Sequence, residues 1–447
     1  MNEFSINNNN NTFMMDLFAG CGGLSTGFEY AGFKPVLTCE LNDDARSSYL
    51  VNRFNNVGNV KFSDATNLHF KDIHEIKGKK IDEIIQYLNQ NEPSINLKKS
   101  KNSNLAVIAG GPPCQGYSRI GHRRSYNVDK NSLPSNKLYI KMAETIETFR
   151  PKVFIFENVA GILSGKWNPE GNKGEIWNDV KRRFRSISDY TVRWSLLKSK
   201  DYEVPQNRPR VIMVGVRNDI LTRSSLNPEN DLEDAVKCNF LPSPSKNPPP
   251  HLDDLLSDLI DHSIHPILMN QNYPRRFETT EYQHPPLNMI QQYLRTNLNG
   301  KQLQKGSTLE EQEYSKHRPS IIQKFNQMIL NGGIIPHQHK TKKFAQRLLP
   351  QFWSNLGPSI TATSLPDDYV HFAQPRILTV REWARLQMFP DWYTFMGKRT
   401  TGGLRRAGNP QIGDFDREVP KYTQIGNAVP VKLAELIGNH LFNEVIN

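Results

Sequence analysis

Short apolar runs that alternate with helical stretches, each run ending in glycine or a carboxylate, constrain this chain more than any other feature. Residues 12–18 read as a strand that runs into Ala19-Gly20-Cys21-Gly22-Gly23-Leu24, and a helical stretch follows. A second strand, 35–40, ends in Glu40, and a helix over 43–54 leads to a third, 60–64, ending in Asp64. The fourth, 105–109, stops at Gly110-Gly111, and the fifth, 152–156, at Glu157-Asn158-Val159. Strands that alternate with helices build an α/β sheet whose functional groups collect at the strand ends. Residues 189–198 and 210–216 read as an antiparallel pair around Val204-Pro205-Gln206-Asn207-Arg208-Pro209-Arg210.

The first unit, strand then glycine-rich turn then helix, is a nucleoside-binding element. Glycines allow close approach of the backbone, and the helix start offers free N–H groups. Glu40 follows at the distance where a carboxylate can take ribose hydroxyls. The spacing Gly20-x-Gly22 is shorter than that of nicotinamide enzymes, so a nucleoside without a pyrophosphate fits better and a nicotinamide oxidoreductase is disfavoured. After the fourth strand comes Gly110-Gly111-Pro112-Pro113-Cys114-Gln115-Gly116-Tyr117-Ser118. A cysteine behind two prolines at a strand end sits on a stiff turn, where a nucleophile loses little orientation entropy. Its thiolate is the reactive form, so the site should supply positive charge. Residues 117–135 form a basic, non-periodic loop of the kind that closes over a site, with Arg119, His122, Arg123 and Arg124.

Four widely spaced cysteines without a Cys-x-x-Cys pair speak against a disulfide framework or zinc site and for a reducing, cytoplasmic compartment. No metal-ligand constellation is present, and no apolar run is long enough to span a bilayer. A net charge of +11 suits a polyanionic partner.

Taken in order, these pieces resemble the DNA cytosine-5 methyltransferases of prokaryotic restriction-modification systems. The matching stretches are DLFAGCGGLSTGF (16–28), Glu40, Asp64, GGPPCQGYS (110–118), ENV (157–159), VPQNRPR (204–210), RILTVREWARLQMFP (376–390) and QIGNAVPV (424–431). The resemblance implies a methyltransferase fold, a Rossmann-like mixed sheet, with a smaller inserted target-recognition domain. It implies Cys114 as nucleophile at cytosine C6, Glu157 at N3, and Arg210 at the base O2 with Arg208 alongside. S-adenosylmethionine would lie over Phe18, Gly20, Gly22 and Leu24, with its ribose on Glu40 and its adenine near Leu41, Asp64 and Ala65. Pro112, Leu138, Asn427 and Val429 would close the site. Two departures stand out: Leu41 replaces an aromatic common in relatives, and Leu133-Pro-Ser-Asn136-Lys-Leu138 lacks the charged pair of the family's Asp-x-Arg-Asn-x-Leu.

The expected organisation is a catalytic domain over 1–217, a target-recognition domain over 218–420 and a returning segment over 421–447. The middle part carries proline clusters and little strand–helix alternation. Its basic groups, Arg275-Arg276, 340–343, Lys398-Arg399 and Arg405-Arg406, with Tyr273, Phe277 and Phe344 nearby, suit a surface that contacts phosphates and grooves. Double-stranded DNA is the expected partner, a cognate endonuclease would act separately, and the chain is expected to be monomeric. A tRNA cytosine-5 methyltransferase and a non-catalytic DNA-binding protein on a decayed scaffold are the alternatives.

Overall fold

The computed structural model describes residues 12–54, 68–113, 137–168, 170–222, 226, 233–335, 337, 346–355, 357–361, 364, 366–401 and 418–446. Seven strands form one sheet: β1 Phe13–Leu17, β2 Lys34–Cys39, β3 His69–Phe70, β4 Val107–Gly110, β5 Val153–Val159, β6 Tyr190–Lys198 and β7 Pro209–Arg217. Their order is β3-β2-β1-β4-β5-β7-β6. The first five are parallel, and β7 inserts antiparallel between β5 and β6. This is the expected Rossmann-like mixed sheet. The expected strand over 60–64 lies outside the described residues.

The strands form where they do because β4 and the first half of β5 are apolar throughout, and β1 apart from Asp16, all of them buried on both faces, as parallel strands covered by helices must be. Helices α1 Gly23–Tyr30, α2 Asp43–Phe54, α3 Lys79–Asn91, α4 Leu138–Phe149 and α5 Glu175–Arg185 join them. On one face, Ile84 and Leu88 of α3, Ile146 of α4 and Phe184 of α5 share a core with Leu17, Ile108 and Phe156. On the other, Leu24 and Phe28 of α1 pack with Leu433, Ile437 and Leu441 of the helix Val431–Leu441. The contact with that helix is close because a Cβ at Gly27 would stand 2.4 Å from the Val431 carbonyl oxygen. The helix Val431–Leu441 near the end of the chain thus lies against the first helix.

The inserted segment shares this second core. Leu252, Leu255, Leu256, Leu294, Ile360 and Trp383 belong to the same apolar cluster as α1. Two small clusters are its own: Ile264, Leu268, Phe277 and Tyr314, and Phe325, Met328, Val370 and Ile377.

Charge as well as apolar contact ties the segment down. Thr379 caps the helix Val380–Leu386, its hydroxyl accepting from the Glu382 N–H in a capping box. Arg385 of that helix donates to Asp258 at 2.5 and 3.0 Å and to Asp391 at 3.0 and 2.5 Å. Arg295 meets the same Asp258 at 2.5 Å and lies 3.7 Å over the Tyr282 ring. All four charged side chains are fully buried, two of each sign. Burial pushes the Asp391 carboxyl up, but Arg385 outweighs it and holds the group below its ordinary range. Glu382 is likewise brought down to about 2, against burial, chiefly by Arg376.

Removing one member of such a network leaves a buried charge uncompensated, which costs far more than the network's net contribution. Asp258→Ala is expected to lower the urea midpoint by an amount equivalent to about 3–5 kcal/mol. Denaturation followed by circular dichroism checks this.

Candidate active site

The parallel strands β1, β2, β4 and β5 end along one edge of the sheet. Leu17 pairs with Cys39 on one side and Gly110 on the other, and Gly110 pairs with Phe156. Phe18, Glu40 and Gly111, which follow their strands, and Glu157 near the end of β5 therefore lie side by side.

At the β1 end the chain turns sharply. Phe18 and Gly20 take φ values of 59° and 56°, in the left-handed region, and Ala19 N–H donates to the Cys39 carbonyl at 3.0 Å. A Cβ added at Gly20 would meet nothing within 4 Å, so this turn opens onto free space. Gly22 has a different task. A Cβ there would collide with Tyr393, Arg53 and Tyr49, so this glycine serves packing. Leu24 is buried in the core beside α1.

The Glu40 carboxylate faces this turn. One oxygen accepts the Gly20 N–H and the other the Asn42 N–H, both at 2.8 Å. Burial raises its pKa, and those two N–H groups oppose the rise. Leu41 beside it is 63% exposed, a large apolar side chain left open at the rim. Phe18 and Leu138 are half-buried against the same core, Pro112 is buried, Val429 is buried with its carbonyl against Gly23, and Asn427 is exposed at the end of the helix Lys421–Asn427. An open glycine turn, a carboxylate with acceptor capacity and an exposed apolar side chain together fit a nucleoside with a ribose diol. Asp64 and Ala65 lie outside the described residues.

At the β4 and β5 ends the reactive groups converge. Glu157 is so close to Gly111 that a Cβ there would stand 2.7 Å from its Oε2. Arg210 is its diagonal neighbour across the β5–β7 ladder, since Glu157 pairs with Ile212 and Val159 with Arg210. The Arg210 Nε lies 2.7 Å from Glu157 Oε1, both side chains nearly buried. Burial pushes the Glu157 carboxyl above its ordinary range, opposed by Arg210 and then Arg208. Cys114 lies outside the described residues, as does the basic loop after it. Its approach is fixed, because Asn158 Nδ2 donates to the Pro112 carbonyl at 3.2 Å.

Arg208, expected alongside Arg210 at the base, is 1% exposed. Its guanidinium donates to the carbonyls of Ile360, Gly426, Asn427 and Ala428. A fork engaged with four carbonyls is built into the scaffold.

Sequence reasoning also passed over three buried polar residues. Asp16 accepts from Ser25 at 2.5 Å beneath the glycine turn, and burial pushes it up to about 7. Glu29 pairs with Arg53 at 2.7 Å, and Gln424 accepts from Ser48 at 2.6 Å. No sequence signal marks these, because each partner comes from another element. Among the basic groups, Arg275, Arg276 and Lys398 are exposed; Arg276 lies 3.9 Å from Glu278, Lys398 pairs with Glu418 and Arg399 with Glu313. Phe277 is buried in a small core and Tyr273 packs against it, half-buried.

Comparison with known proteins agrees with this geometry. The chain is 28% identical over 443 residues to the Type II methyltransferase M.DdeI of Desulfomicrobium norvegicum, covering 96% of this chain and 88% of that one. It is 28% identical to M.Eco47II of Escherichia coli, covering 99% and 82%. A prophage-encoded E. coli protein, described as a DNA modification methyltransferase, shares the fold with a TM-score of 0.62 at 20% identity, over 97% of this chain and 99% of that one. The sequence model of the C-5 cytosine-specific DNA methylases matches residues 13–443, nearly the whole chain, and the chain belongs to that family.

Proposed function

We propose that Cys114, Glu157 and Arg210 carry out the family's reaction, C5 methylation of cytosine, on duplex DNA, and that residues 218–420 select the target sequence. The carrying observation is the buried Glu157–Arg210 pair, set against Gly111 at the foot of the Pro112-Pro113-Cys114 turn.

Cytosine C5 is too weak a nucleophile to take a methyl group unaided. The Cys114 thiolate adds to C6 while Glu157 donates a proton to N3, which gives C5 enamine character. Arg210 holds Glu157 and reaches the base O2. S-adenosylmethionine, when bound, supplies an electrophilic methyl group on a positively charged sulfur. Loss of the C5 proton and departure of Cys114 then restore the aromatic ring. Burial that keeps Glu157 protonated closer to neutrality suits the donor role. Cys21, Cys39 and Cys238 are buried cysteines in no disulfide, and burial pushes the first two thiols well up, so they are poor competitors as nucleophile.

The cofactor would rest on the open turn at Gly20, with its ribose on Glu40 and its adenine against Leu41. Because the reacting carbons are stacked inside a duplex, the cytosine must be flipped out, at a cost of a few kcal/mol. Exposed Arg275 and Arg276 are available for phosphate contact. The relatives' designation as Type II methyltransferases supports a place in a restriction-modification system; a separately acting endonuclease and a monomeric state belong to the proposal.

Transfer of labelled methyl groups to duplex DNA and not to tRNA is the expected outcome, and transfer to tRNA alone would overturn the assignment. Cys114→Ser is expected to abolish turnover with S-adenosylmethionine affinity nearly unchanged by calorimetry. Glu157→Gln should lower the rate by about 10²- to 10⁴-fold. Since the protonated acid is the active form, the wild-type rate should fall as pH rises through the Glu157 pKa, and the variant should lose that limb. Glu40→Gln gives up one acceptor and should weaken cofactor binding about tenfold or more while the fold persists.

A further inference from the structure

The loop between β6 and β7 holds three consecutive polar residues whose partners all come from elsewhere in the chain. Gln206 is wholly buried and Arg208 nearly so. Polar side chains persist at such depth only when hydrogen-bonded. Gln206 Oε1 accepts the Ile360 N–H at 3.0 Å, and its Nε2 donates to the Leu386 carbonyl at 2.5 Å. The Asn207 N–H donates to the Pro358 carbonyl at 2.9 Å, and its Nδ2 to those of Asn355 and Gly357 at 2.8 and 3.2 Å. Arg208 Nη1 donates to the Ile360 carbonyl, and Nη2 to those of Gly426, Asn427 and Ala428 at 2.8, 3.3 and 2.9 Å.

Besides reaching Leu386, these bonds join three separate stretches of chain. Residues 355–360 belong to the inserted segment, and both backbone groups of Ile360 are held, one by Gln206 and the other by Arg208. Residues 426–428 lead from Asn427 to Val429, where the chain closes against Gly23 at the start of α1. The third stretch is β7 itself. The Arg208 carbonyl is fixed by the Ser199 N–H and hydroxyl at 3.0 and 2.8 Å, and Arg210 follows two residues later, beside Glu157.

We propose that Arg208 is a positioning residue which makes the seating of the inserted segment and of the 426–428 loop mutually dependent. One guanidinium spans both, so displacement of either stretch disturbs the donors of the other. A planar fork directs donors on two separate terminal nitrogens at two stretches in a fixed geometry, which a compact ammonium on a flexible stem does not reproduce. Asn207 serves the inserted segment alone. Duplex binding and cofactor binding are therefore linked through Arg208 but not through Asn207. This inference rests on the methyltransferase reading, in which the inserted segment meets DNA and the 426–428 loop meets the cofactor.

The test uses the full chain, S-adenosylmethionine, and a duplex carrying the sequence that the wild type methylates. Thermal melting, the two dissociation constants and the single-turnover rate at saturation are measured for Arg208→Lys and Asn207→Ala. Arg208→Lys is expected to weaken both ligands, each by about 5- to 50-fold for the hydrogen bonds lost. Asn207→Ala is expected to weaken the duplex alone. An Arg208→Lys chain that binds both ligands normally but reacts slowly would make Arg208 a base contact and overturn the proposal. A lower melting temperature with binding and rate intact would reduce it to a strut and overturn it equally. Should Arg208→Lys fail to fold, unchanged duplex affinity in Asn207→Ala contradicts the account, and selective loss upholds it. A wild-type chain that methylates no DNA refutes the methyltransferase reading instead, whatever the affinities show.

Discussion

The antiparallel pairing of β7 with β5 is the contact on which the site depends. A seventh parallel strand would enter the sheet from the opposite end and carry its first residues away from the reactive edge. Running antiparallel, β7 begins where β5 ends, so Arg210 lies diagonal to Glu157 on the same face. The same reversal brings the loop before β7 to that edge, where Gln206, Asn207 and Arg208 meet the inserted segment and the 426–428 loop. One choice of strand direction thus sets both the Glu157–Arg210 pair and the junction around it.

Burial gives that junction its character. The helix Val380–Leu386 is anchored by charges wholly removed from water: Arg385 between Asp258 and Asp391, and Arg376 on Glu382. Such networks contribute little net stability compared with apolar packing, but they tolerate few alternative arrangements. Here they fix a helix whose last residue, Leu386, offers its carbonyl to Gln206. Rigidity in the inserted segment and geometry at Glu157 are therefore connected through short, buried polar contacts.

Much of this was legible in the sequence because buried parallel strands are apolar throughout and end at glycines or acids. β1, β2, β4 and β5 appear within a few residues of their expected places, and so does the β6–β7 pair. Glu40 after β2, Glu157 near the end of β5 and Arg210 at the start of β7 lie along one edge of the sheet. The role of Arg208 was not legible, because its partners lie 152 to 220 residues away. Arg385 poses the same difficulty: nothing in Val380–Leu386 marks it as buried, and Asp258 is 127 residues distant. The inserted segment resisted reading for a related reason. Its elements are short and its core is continuous with that of α1, so no periodicity announces where it packs.

The most direct test of the account is bisulfite sequencing of plasmid DNA from cells that express the wild-type chain. Cytosines methylated in one short recurring context are the predicted result, and they would give the recognition sequence as well. A plasmid left unmethylated by soluble, folded protein would contradict the central claim that this edge of the sheet methylates cytosine in duplex DNA.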